Sequence, residues 1–497
     1  MQGSHVGARM RRAVLGSAAL AALVFFAIAG TAFAHPKGPA PVEIVSQGTP
    51  PAEIPPGTTY FSTIQAAVNA STPGTFILVE PGIYREEVKV VEPHHDIYIR
   101  GMNRNTVILD GEGINTPGGA NGIEIYKTNN VWVENLTVRN FNREGINGGG
   151  GNEIWWNGGS GSNKVQAKGW YGSYLTAYDT TLNGGYGIFT NNEEIGEWDH
   201  VYSSGFNDSG LYIGACQECK AHVTDATIVN NAVGYSGSNS GGELTIEDSV
   251  FAHNSDGIVP NSENPGDGPP PQNGKCHKHN NVPTRVVPEF PTTSIERCTI
   301  IRHNLITENS NLTVPANGST IAAPYGAGVQ LPGDYADAVE ENTITNNPTN
   351  GIMAFEYPNP FPQQADTLFF QLAGNKLANN TFSGNGYAGG KYAGAIFMQG
   401  GIFAPPGKAN AKSLNDCAIG NAYSAGEKSY PVGLEATWNC SNPTTPNPNN
   451  GLEAIYYLLE NQAISEHERT PEPQPAPGPQ ETMPNPCEGV PVNPLCK

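Results

Sequence analysis

Charged residues are scarce in this sequence, and basic residues are the scarcest of them. Asp, Glu, Lys and Arg make up 14% of the 497 residues, and 26 basic residues stand against 46 acidic ones, for a net charge of −20. So little charge, together with abundant Gly and Pro, argues against a helical bundle. The acidity opposes binding to nucleic acid or to an anionic membrane surface.

Long apolar runs are missing after the first 30 residues. Arg11 and Arg12 precede an apolar stretch over residues 13–30, and a small-residue cleavage site follows before His35. This pattern predicts an export signal over residues 1–34 and a secreted or cell-surface protein, with a membrane anchor as the alternative. The arginine pair leaves the Sec and the twin-arginine routes open. We expect no membrane span after the signal is cleaved.

Cysteine is also infrequent, with 8 residues, an even number that suits an oxidising compartment. Cys216 and Cys219 could instead hold a zinc ion together with His277 or His279, although a structural zinc site needs four protein ligands. Proximity along the chain favours disulfides instead. The predicted pairs are Cys216–Cys219, Cys276–Cys298, Cys417–Cys440 and Cys487–Cys496.

Glycine is plentiful, with 60 residues, and its spacing is regular. A glycine followed by an apolar residue recurs at steps of 23, 42, 23, 24, 23, 71 and 23 residues. A fixed period of this size indicates a repeat architecture, in which equivalent residues of successive repeats form rows. The glycines are Gly122, Gly145, Gly187, Gly210, Gly234, Gly257, Gly328 and Gly351.

The segment before the repeats also has a definite pattern. Residues 35–56 are rich in proline and are predicted to be a linker. Ser62 and Gln65 have capping-box spacing, which predicts a short helix at residues 61–70. Residues 74–90 are predicted to form two strands around a Pro-Gly turn.

Residues 61–90, followed by Ile97–Gly101 and Thr106–Gly111, resemble the opening of right-handed parallel β-helix proteins of the pectin-lyase-like group. The resemblance implies an all-β solenoid over residues 57–405 with a helix that caps its first coil. It also implies a carbohydrate-active protein. The enzyme signatures of pectin methylesterases, pectate lyases and polygalacturonases are incomplete or missing here.

Two regions are expected outside the regular coils. A long loop over residues 261–291 is either functional or a decoration closed by a disulfide. A C-terminal extension, residues 406–469, contains a predicted helix at 450–469 that we expect to pack on the β-helix and to cover its open end. Residues 470–497 are rich in proline and are predicted to be an extended tail.

The repeat predicts where a binding surface lies. Residues one and three places after each glycine are apolar or small and should point inward, so residues two and four places after it should point outward. At Gly145 these outward positions are Asn147 and Gly149. Aromatic and amide side chains in such rows suit a sugar chain, although aromatic ladders also simply stabilise strands. The candidate substrate-binding residues are Tyr126, Phe189, Asn191, Tyr212, Asn261, Gln330 and Phe355.

Acidic residues follow this strand in several repeats. Stacked carboxylates repel one another, and one of them can then serve as an acid or base. They could also collect Ca²⁺, or be no more than solvated turns. The candidate calcium ligands are Glu193, Glu194 and Glu218.

A lyase or C5-epimerase reaction on a uronic acid needs a base and a group that neutralises the carboxylate. The long loop offers Lys275, His277 and His279 beside Glu263 and Asp267. The sequence thus predicts an exported carbohydrate-active β-helix that acts as a lyase-like or epimerase-like enzyme on an extracellular polysaccharide. The alternative is a non-catalytic glycan-binding or structural β-helix, and the oligomeric state is left open.

Overall fold

The computed structural model describes residues 40–117, 119–142, 151–165, 167–216, 219–261, 298–316, 320, 323–334, 336–356, 372, 374–399, 416–440 and 452–497. Within these residues the chain forms three long sheets, and every strand pair is parallel. Each coil adds one strand to each sheet in turn. The predicted right-handed parallel β-helix is therefore confirmed.

The three sheets are here called A, B and C in the order in which each coil visits them. Sheet A contains β1 (Val42–Val45), β2 (Thr58–Phe61), β3 (Phe76–Val79), β6 (Ile97–Gly101), β9 (Val131–Glu134), β12 (Ala167–Ser173), β15 (Glu193–Asp199), β18 (Ala221–Thr224), β21 (Leu244–Glu247), β24 (Thr299–Arg302), β27 (Ala338–Glu340), β30 (Lys376–Ala378) and β33 (Cys417–Ile419). Sheet B contains β4 (Gly82–Tyr84), β7 (Val107–Asp110), β10 (Thr137–Arg139), β13 (Thr176–Tyr178), β16 (Tyr202–Ser204), β19 (Thr227–Val229), β22 (Val250–Ala252), β25 (Leu305–Thr307), β28 (Thr343–Thr345), β31 (Thr381–Ser383) and β34 (Ala422–Tyr423). Sheet C contains β5 (Val88–Val91), β8 (Asn121–Tyr126), β11 (Asn152–Asn157), β14 (Tyr186–Asn191), β17 (Ser209–Gly214), β20 (Val233–Ser238), β23 (Asp256–Asn261), β26 (Ala327–Pro332), β29 (Asn350–Phe355), β32 (Gly394–Gln399) and β35 (Ser429–Tyr430).

The repeat glycines open the strands of sheet C, where neighbouring coils approach closely. A Cβ atom at Gly257 would lie 2.3 Å from the carbonyl oxygen of Gly328, and one at Gly234 would lie 2.5 Å from that of Gly257. Glycine is therefore required there by the space between coils. The residue after each glycine points into the core, and this buried row contains Ile123, Ile188, Leu211, Tyr235, Ile258, Val329 and Ile352.

The sequence prediction placed one copy of the repeat at the wrong residues. Gly145 lies outside the described residues, and the coil that it was meant to open contributes β11 to sheet C. There Ile154 pairs with Ile123 and Ile188, so Glu153 stands in the glycine position. Glu153 is fully buried, and its Oε1 accepts a hydrogen bond from the Phe141 amide at 3.2 Å. Burial raises the pKa of Glu153 well above its ordinary value.

Buried asparagines form ladders along two corners of the solenoid. In each ladder one side-chain amide donates to the Oδ1 atom of the asparagine in the next coil, for example Asn342 Nδ2 to Asn380 Oδ1 at 3.0 Å. These bonds satisfy polar groups that the stacking of coils removes from water. One ladder contains Asn231, Asn254, Asn309, Asn347 and Asn385, and the other contains Asn304, Asn342, Asn380 and Asn421.

The N-terminal end differs from the prediction in two details. Val42–Val45, predicted to lie in a linker, forms the buried strand β1 between β2 and β3 because its apolar side chains complete the end of sheet A. Helix α1, Ile64–Ala70, is capped by the side chain of Thr63 rather than Ser62. The Glu86 carboxylate accepts hydrogen bonds from the Ile64 and Gln65 amides at 2.8 and 2.9 Å and fixes the start of the helix.

The C-terminal region also differs, because the sheets continue beyond residue 405 to Tyr430. A short helix α2, Leu434–Thr437, follows them. Helix α3, Leu452–His467, was expected to cover the open end, but it lies on the outer face of sheet C. Its Tyr457 and Leu458 pack against the apolar outer side chains of β29 and β32, which would otherwise be exposed to water.

The tail over residues 470–497 runs back along the solenoid to its N-terminal end. The Thr470 amide donates to Leu312 O at 3.0 Å, and Arg104 Nη1 donates to Glu481 O at 2.9 Å. The tail thus connects late coils with early ones. The loop between Cys487 and Cys496 finishes the tail and packs on Val42, Ile44, Phe76 and Leu78.

Disulfides join Cys216 to Cys219, Cys417 to Cys440 and Cys487 to Cys496. The first of these contradicts the zinc alternative, since a thiol in a disulfide cannot bind the ion as a thiolate. Cys298 is disulfide-bonded as well, and Cys276 lies outside the described residues.

The predicted export signal, residues 1–34, lies outside the described residues too. Among the residues that the structure does describe, no helix combines the length and the apolar character needed to cross a membrane.

We predict that Asn342→Ala lowers the free energy of unfolding by about 3 kcal/mol, since several buried hydrogen bonds are lost together. Asn342 Nδ2 donates to Ile301 O, Glu340 O and Asn380 Oδ1, and its own Oδ1 accepts from Asn304. Chemical denaturation measures the change. The neighbouring exposed Thr343→Ala is the control and should stay within about 0.5 kcal/mol of the wild type. Equal effects of the two changes would contradict a stabilising ladder.

Candidate functional site

The outer face of sheet C carries one continuous row of side chains, here called the axial row. Each member lies two places after the glycine position, so the parallel register stacks it on its neighbours at a spacing of about 4.8 Å. In order, the row contains Lys89, Glu124, Trp155, Phe189, Tyr212, Ser236, Val259, Gln330, Met353 and Phe397.

Four aromatic side chains lie together in the first half of sheet C and are here called the aromatic face: Trp155, Tyr186, Phe189 and Tyr212. The rings of Trp155 and Phe189 stack with centroids 5.0 Å apart, and Tyr186 lies 4.6 Å from Phe189. Phe189 meets Tyr212 edge-on at 4.8 Å. Trp155, Tyr186 and Phe189 are half-buried, so part of each ring is open to solvent, whereas Tyr212 is 9% exposed.

Amide groups hold the aromatic face in place. Trp155 Nε1 donates to Asn191 Oδ1 at 2.7 Å, and Asn191 Nδ2 donates to Gly159 O at 2.9 Å. Because both hydrogen-bonding atoms of Asn191 have partners, this residue orients the indole. Tyr186 is fixed in the same way, since its hydroxyl donates to Asp208 Oδ2 at 2.8 Å.

Two lysines lie at the N-terminal end of the axial row, among the carboxylates of Glu87, Glu92 and Glu124. Lys89 Nζ lies 2.9 Å from Glu124 Oε2, and Asn157 Nδ2 donates to the other oxygen of Glu124 at 2.8 Å. Both Lys89 Nζ and Lys127 Nζ lie 4.8 Å from the centre of the Tyr126 ring. Lys127 makes no ion pair with any described residue.

The second half of the outer face is covered, which corrects three predicted binding residues. Gln330 is 1% exposed and donates through Nε2 to Asp256 Oδ1 and to Pro324 O. Phe355 is 5% exposed and belongs to the cluster beneath α3, and Asn261 is 7% exposed. Phe355 is covered by helix α3, whereas Gln330 is enclosed by its contacts with Asp256 and Pro324.

Asp256 is a buried acid beneath this cover. Its Oδ1 accepts hydrogen bonds from the Gly326 and Ala327 amides at 2.9 and 3.1 Å and from Gln330 at 2.7 Å. Burial raises the pKa of Asp256 to about 7, although these donors and the positive charge of Arg469 oppose the rise. A carboxyl group in this position lies against protein on every side and is part of the covered region.

Two of the three predicted calcium ligands, Glu193 and Glu194, differ in burial and do not lie together as a pair. Glu193 and Glu194 are consecutive in β15, where side chains alternate between the two faces. Glu193 is fully buried, without a hydrogen-bond partner for either oxygen, and burial raises its pKa well above the ordinary value. Glu194 Oε2 lies 3.7 Å from Lys168 Nζ at the surface. Glu218 lies outside the described residues.

The predicted catalytic residues Lys275, His277, His279, Glu263 and Asp267 all lie outside the described residues. Among the described ones, the side chains of Glu247, Asp248 and His303 place ligand atoms within 4.8 Å of one another. These groups already have partners. Glu247 is paired with His222 and Arg302, and His303 with Glu341.

Sequence reasoning missed Lys89, Lys127, Trp155 and Asn157. Trp155 and Asn157 were missed because the repeat was anchored on Gly145, which assigned Asn147 and Gly149 to the outward positions. The apolar run Ile154–Trp156 carried a usable signal, and its Ile154 follows Ile123 by 31 residues. Accepting Glu153 in place of the glycine would have found them.

We predict that Glu193→Gln stabilises the protein increasingly as pH rises above about 4.5, the ordinary pKa of the carboxyl group. The folded state keeps Glu193 protonated while the unfolded state releases the proton, so wild-type stability falls relative to the variant by up to about 1.4 kcal/mol per pH unit. Below pH 4.5 the two should be alike. Denaturation from pH 4 to pH 8 checks this.

Glu194→Gln is the matched control and should show no such pH dependence, because Glu194 lies at the surface. A pH-independent difference between wild type and Glu193→Gln would contradict a buried neutral acid. So would a Ca²⁺-induced rise in Tm that is larger in the wild type than in Glu193→Gln.

The sequence matches no protein-family model and no curated protein. Its fold is similar to that of solved β-helix structures. The A-module of the mannuronan C-5 epimerase AlgE4 of Azotobacter vinelandii has a TM-score of 0.47 and 14% identity, covering 75% of this chain and 87% of that one. Alginate lyase from Paenibacillus sp. str. FPU-7 has a TM-score of 0.35 and 13% identity, and the match covers 74% of this chain and 93% of that one. Pectate lyase Pel9A has a TM-score of 0.38 and 14% identity, and the match covers 78% of each chain.

Proposed function

We propose that the protein is an exported β-helix that binds an extracellular polysaccharide along the first half of the outer face of sheet C. The observation that supports this most strongly is the aromatic face, where the partly exposed rings of Trp155, Tyr186 and Phe189 lie beside side chains that hold them in place. The function follows from this site rather than from the fold, because β-helices serve many functions.

The chemistry of the aromatic face suits a sugar chain. A pyranose ring has apolar C–H faces and a rim of hydroxyl groups, so it needs apolar area next to hydrogen-bonding groups. Trp155 and Phe189 supply rigid apolar area at a low cost in side-chain entropy. Because Asn191 and Asp208 hold Trp155 and Tyr186, little ordering remains to be done when a ligand binds.

The lysines extend this site toward glycans with some negative charge. The net charge of −20 repels anionic ligands from most of the surface. Lys127, without an ion-pair partner among the described residues, and Lys89, paired only with Glu124, make the N-terminal end of the axial row the favourable place for a sugar carboxylate. A cation such as Ca²⁺ could relieve the remaining repulsion.

A lyase-like or C5-epimerase-like reaction is the second candidate function. It is suggested by the sequence after β23, since Lys275, His277 and His279 follow Asn261, the last residue of that strand. One of these bases would take the C5 proton of a uronate, while the other cationic groups or a Ca²⁺ ion neutralise its carboxylate.

In a lyase the electron pair left on C5 would form the C4=C5 double bond and expel the glycosidic oxygen, which takes up a proton. In an epimerase a proton would return to C5 from the opposite face. Glu263 and Asp267 would act as acids or hold the cation.

We predict that Trp155→Ala weakens binding to a polysaccharide that the wild type retains by about tenfold or more, because truncating an aromatic anchor commonly costs 2 kcal/mol or more. Affinity electrophoresis in gels containing alginate, polygalacturonate or a neutral glycan measures the change. Trp132→Ala is the matched control, since Trp132 stacks in a ladder on sheet A, 4.4 Å from Tyr98 and 4.7 Å from Tyr171. Equal losses in both variants, or no retention by any glycan, would contradict the proposal.

An enzymatic role predicts product formation by the mature protein. A lyase generates unsaturated ends that absorb in the ultraviolet, and an epimerase working in D₂O places deuterium at C5, which NMR detects. His277→Ala should abolish either signal while leaving glycan binding within about twofold of the wild type. If the protein binds alginate or polygalacturonate but forms no product from it, with or without Ca²⁺, the result would contradict the enzymatic role and support the non-catalytic binding function.

A further inference from the structure

We propose that Glu247, Asp248 and His303 form a binding site for a divalent transition-metal ion such as Zn²⁺. Their ligand atoms, one from each side chain, lie within 4.8 Å of one another. The three residues lie where the chain passes from sheet A to sheet B, whereas the aromatic face belongs to sheet C. The metal site is therefore separate from the proposed glycan site and does not depend on that function.

The register of sheet A brings the three side chains together. Glu247 pairs with Arg302 in the parallel ladder of β21 and β24. Asp248 and His303 directly follow these two residues, so they occupy the same place in successive coils. At the strand spacing of about 4.8 Å, side chains from such neighbouring places can reach one shared ion.

His303 is held in the form that a metal ion requires. Its Nε2 lies 2.6 Å from Glu341 Oε2, in the next coil. Because an ionised carboxylate can only accept a hydrogen bond, Nε2 carries the proton, and the neutral ring keeps its lone pair on Nδ1. A carboxylate behind a histidine commonly supports a metal ligand in this way, since it fixes both the tautomer and the orientation of the ring.

The lone pair of His303 Nδ1 lies beside a second electron-pair donor. Nδ1 is 3.9 Å from Asp248 Oδ1, which is too far for a hydrogen bond. Zn²⁺ forms bonds of about 2.0–2.2 Å to nitrogen and oxygen, so a tetrahedral ion holds two ligand atoms about 3.4 Å apart. Asp248 and His303 are both exposed, and a small movement of either side chain closes the difference.

Glu247 supplies the third ligand from the end of β21. Its Oε1 lies 2.6 Å from His222 Nε2, and its Oε2 pairs with Arg302. These two contacts fix the orientation of the carboxylate. Each carboxylate oxygen has a second lone pair, so Glu247 can bind an ion while it keeps both partners.

The charges and the ligand types favour a transition metal. Glu247, Asp248 and Glu341 place three carboxylates around the site, against the one guanidinium of Arg302. The net charge of −20 adds a general attraction for cations. An imidazole with two carboxylates suits Zn²⁺, whereas Ca²⁺ takes about six to eight oxygen ligands.

The ion would link the two coils on either side of the long insertion. Glu247 and Asp248 belong to the coil that ends with β23, and His303 follows β24, so residues 262–297 lie between the two coils in the sequence. Bonds from one ion to both coils oppose their separation. Because the folded chain holds the ligands together and the unfolded chain does not, bound Zn²⁺ should raise Tm.

The test is isothermal titration of the mature, full-length protein with ZnCl₂ at pH 7, in a buffer without chelators. We expect a Zn²⁺ site that His303→Ala weakens by about tenfold or more. His253→Ala is the matched control, because His253 is also an exposed histidine whose Nδ1 lies 3.3 Å from a carboxylate of the next coil, that of Glu308. It belongs to no group of three ligands among the described residues, and its loss should leave the affinity within about twofold of the wild type.

A second variant tests the role of Glu341 as a positioning residue. Glu341→Gln should weaken Zn²⁺ binding by several-fold without abolishing it, since a glutamine holds the ring and its tautomer less firmly. Zn²⁺ should raise Tm of the wild type and of His253→Ala but not that of His303→Ala. Absence of Zn²⁺ binding, equal affinity of the wild type and His303→Ala, or tighter binding of Ca²⁺ than of Zn²⁺ would overturn the inference. None of these results would affect the proposed glycan-binding function.

Discussion

The stacking of one coil on the next is the constraint on which the rest of this structure depends. Coils share backbone hydrogen bonds in three sheets, so residues at equal positions are held in rows at about 4.8 Å. The glycine near the start of most strands of sheet C has no room for a Cβ atom. Buried asparagines complete the hydrogen bonding between coils at two corners. The binding face inherits its regular spacing from these contacts.

Much of this architecture could be predicted from the glycine period, because the space between coils imposes glycine nearly everywhere. One exception, Glu153, shows the limit of such a signal, since a buried acid there moved the predicted outward residues away from Trp155 and Asn157. The disposition of Glu193 and Glu194 could not be predicted either. Their burial depends on the corner between sheets C and A, which spacing along the chain does not describe.

The covered half of the outer face was the largest error, and its cause is physical. The position in the repeat predicts which side chains point outward from the sheet, but it does not predict which other segments pack on those side chains. Met353, Phe355 and Phe397 form an apolar strip, and a strip of this kind is stabilised by burial. The sequence predicted a packed helix here with Ile455, Tyr456 and Leu459 on its buried face, but Tyr456 and Leu459 are exposed and the helix packs through Ala454, Tyr457 and Leu458. A helix can also be buried equally well against an end or a face. Only the three-dimensional structure separates the two.

Helix α3 and the tail relate the site to the stability of the whole solenoid. Arg469 ties the end of α3 to the coil of Ser255, while Arg100 and Arg104 hold the tail on early coils, with Arg100 Nη1 donating to Glu488 O at 2.8 Å. The open strands β5 to β14 lie within the span that this segment connects. Coils of a solenoid otherwise contact only their neighbours, so a connection of this length opposes separation of coils within the binding face. The C-terminal segment therefore also helps to keep the rows of sheet C in register.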